Sequence, residues 1–262
     1  MLSDTEFRQL LHHLDRPWAG YRKVRKGVKK RIRRHMAGLG CSTVDAYLWE
    51  LAQRPDARAV CEQGLRVTIS RFFRDRELWQ ALESRVLPGL IDRFPAPIRI
   101  WSAGCACGEE PYSLAMVWEE LGRPARLDLL ATDAGGACLA RARAGVYNPS
   151  SLKRVPDGLR DRYFDSRKGG RQCLIRSGRL TPIRWRQHDL LDPPPEGDPF
   201  HLILLRNNLL TYYRGRCLQA ALTRIMAALV PGGCLVTGAH ERLPVSACRL
   251  DRDEGCPWIY RL

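Results

Sequence analysis

The side chains best placed for chemistry in this sequence are carboxylates that follow apolar runs. Glu109 and Glu110 come directly after the turn Ser102-Ala-Gly-Cys-Ala-Cys-Gly108, Asp133 closes Leu127-Asp-Leu-Leu-Ala-Thr-Asp133, and Asp189 stands in Gln187-His-Asp-Leu-Leu191. The turn contains Gly104 and Gly108 but neither a G-x-G-x-x-G pattern nor a Gly-Lys-Ser/Thr ending, so it is a poor match to loops that grip pyrophosphate. A carboxylate directly after such a turn repels phosphate and attracts an ammonium group. Asp133 lies 29 residues beyond Gly104, in the position where an acidic residue accepts hydrogen bonds from ribose hydroxyls. Asp189, after the next expected core strand, is placed to accept from an adenine amino group.

An adenosine with a cationic amino-acid tail and no phosphate satisfies all three positions, and S-adenosylmethionine is that molecule. Each residue also has a plainer reading: Asp133 as a helix N-cap, Glu109 as a complement to a helix dipole. Their order after successive strands favours the ligand. Ten cysteines are scattered without a CxxC pair. Cys105 and Cys107 form a CxC without a second cluster, so buried free thiols are expected and no metal site.

These residues need a scaffold. From Ile98 the chain alternates strand-like and helix-like runs: Ile98–Gly104, then Pro111–Leu121, Leu127–Asp133, a helix after Gly136, His201–Asn207, the helix Gly215–Leu229, and Cys234–His240. That alternation implies a mostly parallel sheet with helices on both faces. Residues 163–187 are richer in turns and β-type residues and read as a small antiparallel insertion. Residues 1–90 read as a helical N-terminal domain and 91–262 as the α/β domain. Within the former, Tyr21, Val24, Val28, Ile32 and Met36 recur at helical spacing, and Ser42 is the expected N-cap of the following helix.

The net charge is +15, and nine of the thirteen residues from Arg22 to Arg34 are basic. So dense a basic helix points to an acidic partner surface. Nucleic acid is the less favoured partner, because no aromatic residues are interleaved. There is no apolar run of membrane-spanning length and no secretory signal pattern, so a cytoplasmic location without membrane insertion is expected.

Several segments taken together resemble the CheR family, the S-adenosylmethionine-dependent protein-glutamate methyltransferases of bacterial chemotaxis. They are ISRFFRD (69–75), SAGCACGEEPYSLAM (102–116), ATD with LARARAGVY (131–133, 139–147), DLL (189–191), LLRNNLLTYY (204–213), LVPGG (229–233) and GAHE (238–241). The resemblance implies a Rossmann-like class I methyltransferase domain with a small β-insertion and a helical N-terminal domain. It implies that Ala103, Gly104 and Glu109 line the methionine end of the cofactor and that Asp133 binds ribose. Asp189 and Leu190 would flank adenine, and Arg206 and Asn207 would close the site. Ser70 and Arg74 would reach across from the N-terminal domain. Arg74 is the implied handler of the substrate carboxylate and Tyr212 the implied catalytic aromatic. The basic helix would dock on a receptor-type helical bundle.

Three departures keep alternatives open. RNNLLTYY is one residue longer than the family's usual segment, so Tyr212 or Tyr213 is the aromatic in question. ATDAG and GAHE also differ from the usual pattern. Glutamate carboxyl methylation is the leading expectation. Methylation of another acceptor (small molecule, modified peptide or nucleic acid) and a non-catalytic cofactor-binding module are the alternatives. Arg74 could instead pair with Asp75 or Glu77, and His240 with Glu241 could form an acid-base pair. Phe72 and Phe73 are expected to serve in packing between the domains.

Overall fold

The computed structural model describes residues 2–244 and 250–262; Cys248 lies outside them. The chain divides into two compact units. One comprises Met1–Val67 with Asn208–Gln219, the other Thr68–Asn207 with Ala220–Leu262.

The first unit is helical: α1 (Asp4–His13), α2 (Trp18–Tyr21), α3 (Arg25–Gly38), α4 (Val44–Gln53) and α5 (Pro55–Leu65). Ser3 and Glu6 form a reciprocal capping box on α1, which satisfies two of the donors a helix start leaves open. The N-cap of α4 is Thr43, whose hydroxyl accepts from Ala46 N–H at 3.2 Å, one residue beyond the expected Ser42. Pro55 opens α5, where its missing N–H costs nothing. On α3 the apolar stripe is inward, with Val28, Ile32 and Met36 buried among Phe7, Leu10, Tyr47 and Cys61. Asp4 neutralises part of its basic face through Arg25 and Lys29, while Lys26, Lys30, Arg33 and Arg34 stay exposed.

In the second unit, α6 (Arg76–Ala81) runs through a π turn into α7 (Leu87–Arg93), followed by β1 (Ile98–Ala103), α8 (Glu109–Glu120), β2 (Leu127–Asp133) and α9 (Gly136–Ala144). Then come β3 (Val146–Tyr147), α10 (Asp157–Tyr163), β4 (Phe164–Arg167), β5 (Gln172–Ile175), β6 (Ile183–Gln187) and β7 (Phe200–Leu205). After β7 lies α11 (Leu209–Tyr212), which belongs to the first unit, and α12 (Gly215–Ala227), which crosses the division; β8 (Leu229–Thr237), β9 (Asp251–Arg252) and β10 (Ile259–Arg261) complete the chain.

The main sheet has the order β6-β2-β1-β7-β8-β10-β9. Its first five strands are parallel, and β10 returns antiparallel on β8. Both central strands are nearly all apolar and buried, as strands covered on two faces must be. Strand order reverses between β1 and β7, so the crevice outside their carboxyl ends is where an open α/β sheet binds ligand.

Two expected boundaries move. The helices α6 and α7 pack Leu78, Trp79, Leu82, Leu87 and Leu90 into the core of the second unit, so the division falls at Val67/Thr68, not near residue 90. The antiparallel sheet is β3-β5-β4, and Ile183–Gln187, read as part of it, pairs parallel with β2 as the edge of the main sheet. Phe72 and Phe73 also lie inside the second unit's core, with Phe72 edge-on to Tyr147 and Phe164. Among the described residues no helix is long and apolar enough to cross a membrane.

Candidate active site

The turn after β1 is closed by backbone bonds. Gly104 N–H and Cys105 N–H both donate to the Thr132 carbonyl, each at 2.8 Å, tying the ends of β1 and β2 together. Gly108 is left-handed at φ 91°, and a Cβ there would stand 2.8 Å from the Ala142 Cβ and 2.9 Å from the Trp185 ring. Only glycine lets α8 start this close to α9 and β6.

The two glutamates that open α8 separate in role. Glu110 is committed to protein partners: it accepts from the Ser102 hydroxyl at 2.7 Å and from Arg206 at 2.9 Å. Glu109 is 3% exposed and its Oε2 has no protein partner. Burial pushes its carboxyl above the ordinary range, opposed by its own backbone N–H, by the nearby Arg141 and by the Ser70 hydroxyl. A buried carboxylate with an open oxygen costs free energy until a cation meets it. This is the feature that an ammonium-bearing ligand fits, and Ser70 lies near enough to act on the same carboxyl.

Asp133 stands at the carboxyl end of β2. Its Oδ2 accepts from Ala106 N–H at 2.9 Å and its Oδ1 from Gly135 N–H at 2.7 Å. The carboxylate thus joins the turn after β1 to the start of α9, and a carboxylate oxygen can accept a hydroxyl donor in addition to a backbone one. Asp189 follows β6 and accepts from Leu191 N–H at 3.1 Å in a local turn, with Leu190 half-buried beside it. Ala103, Gly104, Glu109, Asp133, Asp189 and Leu190 therefore all sit at or just beyond the carboxyl ends of β1, β2 and β6.

Arg206 follows β7, and its guanidinium is turned into the protein. One end pairs with Glu110 at 2.9 Å; the other pairs with Asp75 at 2.8 Å and donates to the Arg74 carbonyl at 2.9 Å. Its side chain is 2% exposed. The same Arg74 carbonyl accepts from Trp79 Nε1 at 2.8 Å, and Phe73 N–H donates to the Ser113 hydroxyl at 3.0 Å. Phe73 and Asp75 are both left-handed, at φ 49° and 63°, conformations a non-glycine residue holds only when its surroundings enforce them. The Arg74 backbone is thus pinned, and since Arg206 takes Asp75, Arg74 makes no ion pair with Asp75 or Glu77 among the described residues. Ser70 and Arg74 belong to the same unit as the sheet, whereas the expectation had them reach across from the helical domain.

Asn207 is left-handed at φ 55°. Its N–H donates to Glu241 at 2.6 Å, and Gly238 N–H donates to the same oxygen at 2.8 Å. Glu241 therefore clamps the ends of β7 and β8, which differs from the acid-base role considered for it with His240. No sequence signal marks this clamp, because its partners are brought together by the sheet. The same holds for Ser113 and Trp79. Tyr212 lies in the first unit with its ring 5.1 Å from that of Tyr21.

Comparison with known proteins agrees with this geometry. Residues 68–255 match the family model described as CheR methyltransferase, SAM binding domain, and the match begins where the second unit begins. A chemotaxis protein methyltransferase of Listeria monocytogenes is 37% identical over 177 residues, 68% of this chain and 66% of that protein's own length, just under two thirds of it. A chemotaxis protein methyltransferase of Pseudomonas aeruginosa is 31% identical over 226 residues, 82% of this chain and 81% of the relative. With its central strand order and the carboxylates after β1 and β2, the chain belongs to the CheR methyltransferase family and carries that family's S-adenosylmethionine-binding domain.

Proposed function

We propose that this protein transfers a methyl group from S-adenosylmethionine to a glutamate carboxylate on an acidic, helical, receptor-type protein that docks on the basic helix α3. The observation that supports this is Arg74, a half-buried cation whose backbone is held by Arg206 and Trp79 and whose guanidinium makes no ion pair among the described residues, its charge being felt at Glu110. A carboxylate acceptor suits that group, because a guanidinium presents paired donors to the two carboxylate oxygens.

The bound cofactor supplies a methyl on a positively charged sulfur, open to in-line displacement by a carboxylate oxygen. An ionised carboxylate needs no general base, so the chain's contribution is placement and exclusion of water. In this reading Glu109 takes the ammonium group, Asp133 the ribose hydroxyls, and Asp189 and Leu190 the adenine. The backbone at Arg206 and Asn207 closes the site, Arg74 aligns the acceptor, and Tyr212 or Tyr213 supplies the aromatic beside the reacting centre.

The test is transfer of labelled methyl from S-adenosylmethionine into protein in cell extract, followed by alkali. Label released as methanol supports a carboxyl ester. Alkali-stable label moves the function to an amine, thioether or nucleic-acid acceptor, and tight cofactor binding without transfer to a regulatory module.

A further inference from the structure

The segment Asn208–Gln219 leaves the sheet and packs as part of the helical unit. Its short helix α11 lies on α2, and the contacts are specific. The Arg16 side chain is buried, its guanidinium covers the Tyr213 ring at 3.6 Å, and it donates to the Tyr212 carbonyl at 3.4 Å. The Tyr212 ring packs on Tyr21, which is itself held edge-on by Phe7 at 5.9 Å between centroids. Gly20 leaves no room for a side chain, since a Cβ would fall 2.3 Å from the Thr211 carbonyl oxygen and 3.1 Å from the Tyr212 ring. The exposed Asp15–Arg214 pair at 3.5 Å adds little in water.

We infer that Arg16 is a positioning residue for methyl transfer: from the helical unit it sets the backbone and rings of Tyr212 and Tyr213, with Gly20 giving the close approach that this requires. The inference rests on the proposed role of this tyrosine pair. A buried guanidinium stacked on one ring and bonded to the neighbouring carbonyl fixes both position and rotation of the dipeptide.

The experiment uses the full chain with Arg16→Ala, Arg16→Lys and Gly20→Ala, and with Tyr212→Ala and Tyr213→Ala as controls. A displacement of about 1 Å at a positioned group costs on the order of 100-fold in rate. Arg16→Ala and Gly20→Ala are therefore expected to lower kcat by about that factor with KM for S-adenosylmethionine little changed, and Arg16→Lys to recover part of the loss. In the cofactor-free protein, hydrogen exchange in the peptide spanning 208–213 should quicken in Arg16→Ala while that of β2 stays slow.

Unchanged kcat in a folded Arg16→Ala chain, alongside a tyrosine variant that has lost activity, overturns the role of Arg16 alone. Full activity in both tyrosine variants overturns the tyrosine assignment and this inference with it. A lowered melting temperature with normal kcat reduces Arg16 to a structural residue.

Discussion

Replacing Glu109 by Gln should separate stability from cofactor affinity. The Glu109 carboxylate is buried, one of its oxygens has no protein partner, and burial raises its folded-state pKa. The folded chain then holds this proton to higher pH than the unfolded chain, in which a glutamate titrates near about 4.3. Stability from this group therefore falls as pH rises from that value through the raised folded-state pKa, and near neutrality the carboxylate is a net cost to the cofactor-free fold. The Glu109→Gln change removes that cost and keeps the shape, so the variant's melting temperature at pH 7 should equal or exceed that of the parent. Above about pH 4.3 its pH dependence should also be flatter.

Affinity should move the other way. A charge-assisted hydrogen bond contributes about 1.5–3 kcal/mol, and each 1.4 kcal/mol is about a factor of ten in Kd, so S-adenosylhomocysteine should bind the variant roughly 10- to 150-fold more weakly. Calorimetric titration and a thermal melt of the same preparation read both quantities. Unchanged affinity, or a loss of stability at neutral pH, would refute the assignment of Glu109 to the ammonium group.

Three further outcomes follow from the site. Arg206→Leu leaves the half-buried Glu110 and Asp75 without the buried cation they share and should cost about 3 kcal/mol, read from urea unfolding. Arg74→Ala should leave S-adenosylhomocysteine affinity unchanged and lower transfer by on the order of 100-fold, the usual loss when one preorganised charge-stabilising donor is removed; single-turnover methyl transfer checks it. Asp133→Ala should abolish measurable cofactor binding by calorimetry. The same change should lower stability by about 1–3 kcal/mol, because its carboxylate also ties Ala106 to Gly135.

Much of this architecture is legible in the sequence, and the exceptions have physical reasons. β2 occupies the residues its apolar run defines, and β1 ends where the glycine turn begins. Helical periodicity shows that α6 and α7 bury a face but not which core receives it, so the sequence does not reveal that Leu78 and Trp79 pack against the sheet unit. β6 alternates Ile183 and Trp185 with exposed Arg184 and Arg186. That is the pattern of any strand with one face in water, whether it edges a parallel sheet or belongs to a hairpin. The carboxylates proposed for the site stand out in the sequence because each follows a strand or the turn after one. Sequence position did not distinguish Glu109 from Glu110, because the partner that commits Glu110 is Arg206, 96 residues away. The return of Asn208–Gln219 to the helical unit likewise leaves no local signature.

The central claim is carboxyl transfer guided by Arg74, and peptide-level mass spectrometry of the methylated acceptor tests it most directly. The expected result is a glutamyl methyl ester, removed by alkali, on an acidic helical protein, and absent when the Arg74→Ala chain is used. A methyl group on nitrogen, sulfur or nucleic acid, or equal esterification by the Arg74→Ala chain, would contradict it.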